Sequence, residues 1–118
     1  MKKEIKIETA AEKKILIIPR VETGKGGGHL LRSATLLKEL RMNNAEAYMF
    51  ISEDKRQSPV MKIVDTIDPV NPDWIISRDP DKQSWHFIIL DNFKTSDADY
   101  MYWSSLAPIP GIDRPGPD

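Results

Sequence analysis

The sequence predicts an α/β fold of three layers, Rossmann-like, with a mostly parallel sheet and helices on both faces. Three observations predict it. Residues 14–18, 47–51 and 85–90 are short, nearly continuous apolar runs without alternation, as in strands covered on both sides. The segments between them carry apolar residues at helical spacing. The connections are short, and strands alternating with helices over short loops imply parallel pairing through crossovers.

Taken in order, residues 3–8 (KEIKIE) alternate apolar and charged, which suits either a half-exposed edge strand or a solvated tail. The first buried strand, residues 14–18, is stopped by Pro19. Residues 24–28 (GKGGG) then hold four of the six glycines, where positive φ or a close backbone approach is easiest. Beyond His29, Leu30, Ala34, Leu37 and Leu40 recur at helical spacing, and Leu36 widens the stripe. Lys38 and Arg41 place positive charge near the end of that helix, where the dipole favours it. Asn43-Asn44 closes it.

Residues 47–51 form the second strand, and Glu53-Asp54-Lys55-Arg56 reads as a solvated loop. Ser58-Pro59 has the chemistry of an N-cap followed by a first-turn proline. Val60, Ile63, Val64 and Ile67 make the inward stripe of that helix, and Asp68-Pro69 ends it. Trp74-Ile75-Ile76 is a short third strand. Residues 85–90 form a buried strand ending on Asp91, and His86 inside it reads as structural. Ser96 with Asp99 resembles a capping box, and Ala98, Met101, Tyr102 and Leu106 give that helix its inward face. A last strand spans residues 109–112. Trp74, Trp85 and Trp103 are spread over different elements, as packing residues are.

Residues 1–13 are thus a charged extension or edge strand, 14–113 a single domain, and 114–118 a tail or truncated linker. The segment APIPGIDRPGPD holds four of nine prolines and reads as a chain cut at a domain edge. With 118 residues, the chain is long enough for one real core. The balance of 17 basic and 18 acidic residues shows no basic face and argues against nucleic acid. No run approaches the length of a membrane span, and the charged N-terminus lacks the apolar core of a secretory signal. The absence of cysteine removes disulfides and thiolate chemistry and fits a reducing cytoplasm. Two histidines, His29 and His86, exclude a multi-histidine metal site.

In sheets of this kind ligands gather at the carboxyl ends of the strands. Four polar features fall there: the 24–29 loop, Ser52-Glu53-Asp54, Asp91-Asn92 and Asp113-Arg114. A glycine turn opening a helix aims free N–H groups and a positive dipole end at one point, which suits an anion and above all a phosphate. Gly26, Gly27 and Gly28 are the candidate cradle. No Lys-Ser or Lys-Thr follows the last glycine, so this is not a Walker loop. His29 stands where the third glycine of the dinucleotide fingerprint belongs. Glu53 and Asp54 at the end of the second strand keep a dinucleotide site open as an alternative.

Over Gly24 to Arg41 the chain resembles the first strand-turn-helix of GT-B-type nucleotide-sugar enzymes. The likeness is to the pseudaminic-acid-pathway UDP-sugar hydrolase, with its GxGHxxR segment, and to the peptidoglycan N-acetylglucosaminyltransferase, with its GGxGGH loop. The layout of the remaining chain is similar to the N-terminal domain of that family. The resemblance implies that His29 is the catalytic base or a phosphate-polarising group, that Gly26, Gly27 and Gly28 hold the phosphates, and that Arg32 is a phosphate or acceptor contact. Asp91 is a candidate ligand residue because it ends a buried strand on the same rim. An imidazole can take a proton from water or a hydroxyl, and a guanidinium can hold a diphosphate. Each residue also has a plainer reading: His29 as a turn cap, Arg32 as a surface ion-pair partner, Asp91 as a loop cap.

The resemblance further implies a nucleotide-sugar or sugar-diphosphate as substrate and no separate cofactor. In that family the nucleotide is held mainly by a C-terminal domain, which these residues do not encode. The chain would therefore be the acceptor-and-base half of a glycosyltransferase or hydrolase, weakly active or inactive alone. A separate C-terminal domain or a second copy of the chain would be its partner. The alternative is a non-catalytic binding or assembly module of the same fold.

Overall fold

The structure is a computed structural model and describes residues 4–6, 11–19, 28–91, 97–109 and 111–113. Its elements are β1 (Glu4–Lys6), β2 (Lys14–Pro19), α1 (Gly28–Met42), β3 (Glu46–Phe50), α2 (Glu53–Arg56), α3 (Pro59–Ile67), β4 (Ile75–Ile76), β5 (Phe87–Asp91), α4 (Asp97–Leu106) and β6 (Gly111–Asp113). Single 3-10 turns lie at Pro72–Trp74 and Pro80–Lys82.

Ile15, Leu16 and Ile17 of β2 are fully buried, so the strand that lacks alternation is covered on both faces. It is one of the two inner strands of a four-stranded, all-parallel sheet in the order β4-β3-β2-β5. Alternate residues of β2 feed different cores. Ile15 and Ile17 join Ala47, Met49 and Ile89 with the buried sides of α1 and α3. Leu16 and Ile18 join Ile88, Trp85, Trp103 and Ala107. The fold is α/β and Rossmann-like.

Local chemistry accounts for the element ends. α1 closes in a Schellman motif: Asn44 takes φ 66°, the Asn44 N–H donates to the Arg41 carbonyl, and the Ala45 N–H donates to the Leu40 carbonyl. Ala45 and Leu40, whose contact normally accompanies this motif, are both buried. Ser58 caps α3 by accepting from the Met61 N–H at 3.3 Å, with Pro59 in the first turn. His86 lies just before β5 rather than inside it. Its Nδ1 accepts from the Lys14 N–H at 2.9 Å while its own N–H donates to the Lys14 carbonyl at 2.8 Å. Both backbone groups of the first β2 residue are thereby satisfied. The Trp85 indole N–H donates to the Pro80 carbonyl at 2.8 Å, which lets that ring be buried.

Several expectations are corrected. On α3 the buried residues are Val60, Met61 and Val64, while Ile63 and Ile67 are exposed at 46% and 64%. The stripe is there, but the helix turns its 60/64 row and Met61 to the sheet. On α4 the only buried residue is Trp103, and Ala98, Met101 and Tyr102 face outward. One large ring outweighs three smaller contacts in setting the rotation of a short helix. Glu53-Asp54-Lys55-Arg56 is a helical turn, not a loop. The second and fourth strands start and stop within a residue or two of expectation. The last strand is Gly111–Asp113, and it pairs parallel with Glu4–Lys6 in a separate two-stranded sheet rather than extending the main one. Ser96 lies outside the described residues.

Tyr48 on β3 supplies a pH test. Partial burial pushes its hydroxyl above the usual value of 10.0, its hydrogen bond to Glu46 adds to this, and the Arg41 guanidinium opposes it. The unfolded chain gives up this proton first, so the contribution to stability is whole below about pH 10 and is lost as pH rises through the folded-state value. Urea unfolding followed from pH 8 to 11 should show an alkaline decline that Tyr48→Phe flattens. An identical decline in both proteins would exclude Tyr48 as its source.

Candidate functional site

Because all four strands of the main sheet are parallel, their carboxyl ends share one rim. The register places Pro19 of β2 beside Asp91 of β5, and Ile17 beside Met49 of β3. The chain leaves β2 for α1 and β3 on one side, then returns to lay β5 on the other. The strand order therefore switches between β2 and β5, the place where open α/β sheets bind ligands. α1 begins at this rim with Gly28, and it has no acidic residue in its first turn to offset the positive dipole end.

A cleft of about 310 Å³ opens at the carboxyl ends of β2 and β3. Ile18, Pro19, Phe50 and Ile51 supply its strand-end walls. Trp103 of α4 lines it as well, its ring edge-on to Phe50 with centroids 5.5 Å apart. The polar groups at its mouth are Ser52, Lys55 and Asp99. It is an apolar recess with one cation and one acid, of a size for a sugar or phosphate group more than for a whole nucleotide-sugar.

The surrounding polar residues are tied down. The Ser52 hydroxyl donates to Asp54 at 2.7 Å, and this bond holds the Asp54 carboxyl below its usual range. The Arg78 guanidinium donates to Glu53 at 2.6 Å, and that carboxylate pushes the Arg78 pKa up. Arg56 reaches Ser77 at 3.1 Å, and the Ile51 N–H bonds the Ile76 carbonyl at 2.9 Å. The ends of β3 and β4 are thus cross-linked by three pairs of side-chain or backbone groups on one rim: Arg78–Glu53, Arg56–Ser77 and Ile51–Ile76. Glu53 and Asp54, each with a partner, are not displayed as a ribose-binding acid would be.

Of the residues singled out from sequence, Gly26 and Gly27 lie outside the described residues. Gly28 and His29 are the first two residues of α1, and the His29 side chain lies outside the described ones. Arg32 is exposed in the second turn of α1. Asp91 is the last residue of β5, in register with Pro19. The 24–29 loop, residues 52–54 and Asp91 do follow the ends of neighbouring parallel strands. Asp113 does not: it belongs to the two-stranded sheet, and Arg114 lies outside the described residues.

Lys55, Asp99 and Trp103 were not legible as site residues. Lys55 sat in a charge run with no apolar spacing around it, and Asp99 carried the signature of a helix cap. Among the described residues, no group of three or more His, Asp or Glu side chains could hold a metal ion, and no helix is long and apolar enough to cross a membrane. Comparison with protein-family models, curated proteins and solved structures found no match to this chain.

Proposed function

We propose that this chain is the acceptor-and-base half of a nucleotide-sugar enzyme, a glycosyltransferase or a UDP-sugar hydrolase. In this reading the carboxyl-rim cleft takes the sugar-phosphate portion of the ligand. One observation supports it above the others: the strand order switches between β2 and β5, beside the glycine-led start of α1. There Gly26, Gly27 and Gly28 would offer N–H groups to a phosphate, and Arg32 a guanidinium. His29 would accept a proton from water or an acceptor hydroxyl as the anomeric carbon–oxygen bond breaks and the nucleotide leaves as its phosphate anion. Lys55 at the mouth of the cleft would balance charge on that leaving group.

The amide spectrum of the labelled chain, titrated with UDP-N-acetyl sugars to millimolar concentration, tests this. Shifts should concentrate at residues 28–32, Ser52, Lys55 and Asp91, and Lys55→Ala should weaken binding several-fold. UDP alone and the free sugar separate the phosphate contribution from that of the ring. No shift at the carboxyl rim with any of the three ligands would remove the proposal.

A further inference from the structure

Six large apolar side chains are exposed among the described residues: Met42 at 81%, Ile63 at 46%, Ile67 at 64%, Tyr100 at 41%, Met101 at 70% and Tyr102 at 45%. They fall into two groups. Met42 ends α1, and Ile63 and Ile67 lie on α3, whose buried sides pack on the Ile15/Ile17 face of the sheet. Tyr100, Met101 and Tyr102 are consecutive on α4, which is anchored through Trp103 on the Leu16/Ile18 face.

The two groups sit in opposite electrostatic settings. Met42 borders a groove of about 670 Å³ whose other walls are Lys38, Arg41, Pro69, Asn71 and Trp74, two cations and no carboxylate. Asp68 neutralises Lys38. Arg41 makes no ion pair among the described residues. Its guanidinium lies between the Tyr48 and Trp74 rings, 4.9 and 4.6 Å from their centroids, and its Nε donates to the Ala47 carbonyl at 2.7 Å. Its Nη2 is the one buried side-chain polar atom, among those described, without a hydrogen-bond partner. The groove therefore presents an immobilised positive charge beside apolar surface, a setting that favours a carboxylate next to an apolar side chain. α4 carries that combination. Asp97, Tyr100 and Met101 are all exposed on it, and the helix has no basic residue.

We infer that copies of this chain associate head to tail, the exposed face of α4 in one copy seating in the Arg41–Trp74 groove of the next. Met101 covers Met42 and Trp74, and the Asp97 carboxylate faces Arg41. α4 and the groove belong to opposite faces of the sheet, so α4 cannot reach the groove of its own copy. Both complementary surfaces are on one chain, so a second copy is the partner that fits. Each copy uses one surface as donor and the other as acceptor, so the contact is heterologous and builds chains or rings rather than closed two-fold dimers. The inference holds whether or not the carboxyl rim is catalytic.

Sedimentation equilibrium of the whole chain, from about 10 μM to about 500 μM, reads the assembly directly. The mean mass should climb past that of a dimer and fall back when salt is raised. Met42→Glu places a competing carboxylate in the groove, and Met101→Lys repels it. Each should weaken association by about tenfold or more, equivalent to about 1.4 kcal/mol. Both positions are exposed, so circular dichroism and the urea midpoint should stay at wild-type values. The decisive arm mixes the two variants. Each retains one intact surface, so the mixture should form a one-to-one dimer and stop there. A wild-type chain that is monomeric at the highest concentration overturns the inference. So does association indifferent to both variants, or a mixture that stays monomeric while the wild type assembles.

Discussion

Replacing Trp103 by alanine should lower the unfolding free energy by about 3–5 kcal/mol, the usual range for deleting a buried indole. Domains of this size hold only about 5–15 kcal/mol in all, so the loss is a large fraction of it. Trp103 is 8% exposed and is the one buried residue of α4. It meets Phe50 and Tyr102 edge to face, at 5.5 and 4.8 Å between centroids, so its removal also forfeits two aromatic contacts. Residues 97–102 are all exposed, so none of them is buried against the sheet as Trp103 is. α4 amides should therefore exchange faster with solvent in Trp103→Ala than β2 amides do. Trp103→Phe should restore most of both losses. Urea unfolding with hydrogen exchange checks this, and a penalty under about 1 kcal/mol would mean that α4 is held by something else. The same substitution removes a wall of the carboxyl-rim cleft, so any ligand shifts there should weaken with it.

Arg41→Ala should cost about 2–3 kcal/mol. Two cation–ring contacts contribute about 0.5–2 kcal/mol each, and the charged hydrogen bond to Ala47 about 1.5–3 kcal/mol. Against these stands the buried Nη2 without an acceptor, which costs about 1–3 kcal/mol in the native protein. That debit makes the choice of replacement informative. Arg41→Met keeps apolar volume between the two rings and removes the buried Nη2 that lacks an acceptor, so it should recover more than half of the loss. Arg41→Lys should do worse than Met, because a compact, strongly hydrated ammonium cannot stack between the rings. Thermal or urea midpoints of the three variants decide it. The order Lys above Met would show that the charge, not the packing, is what the site needs.

The carboxyl-rim site was legible in outline because its signals are local. Pro19 ends an apolar run a few residues before the glycines that precede a helix, and Asp91 closes a separate apolar run, so each signal is read from its own neighbours in the chain. Their common rim followed from parallel pairing alone, and β2, β3 and β5 do end there. Asp113 failed the same test, since its short strand pairs with the N-terminal residues instead of the main sheet. Lys55 and Asp99 were invisible as cleft residues because their neighbours in the chain explain them completely, one as surface charge and one as a helix start. The Arg41 clamp left no mark in the sequence: Arg41, Tyr48 and Trp74 come from three separate elements and share no spacing rule.

What the sequence by itself determined is whatever depends on neighbours in the chain. The continuous apolar runs made buried strands, Ser58-Pro59 began a helix, and Asn43-Asn44 ended one, because side-chain burial, capping and left-handed backbone are settled within a turn or two. What only the tertiary structure decided is which of two plausible faces each short helix buries, which strand lies beside β2, and which surfaces are left uncovered. α3 and α4 each carried more apolar residues than one face could bury, and the sheet accepted the set that filled its own two cores. The remainder, Ile63 and Ile67 on α3 and Tyr100, Met101 and Tyr102 on α4, was left to solvent, as was Met42 at the end of α1. Packing against partners distant in the chain makes that selection, and no local pattern encodes it.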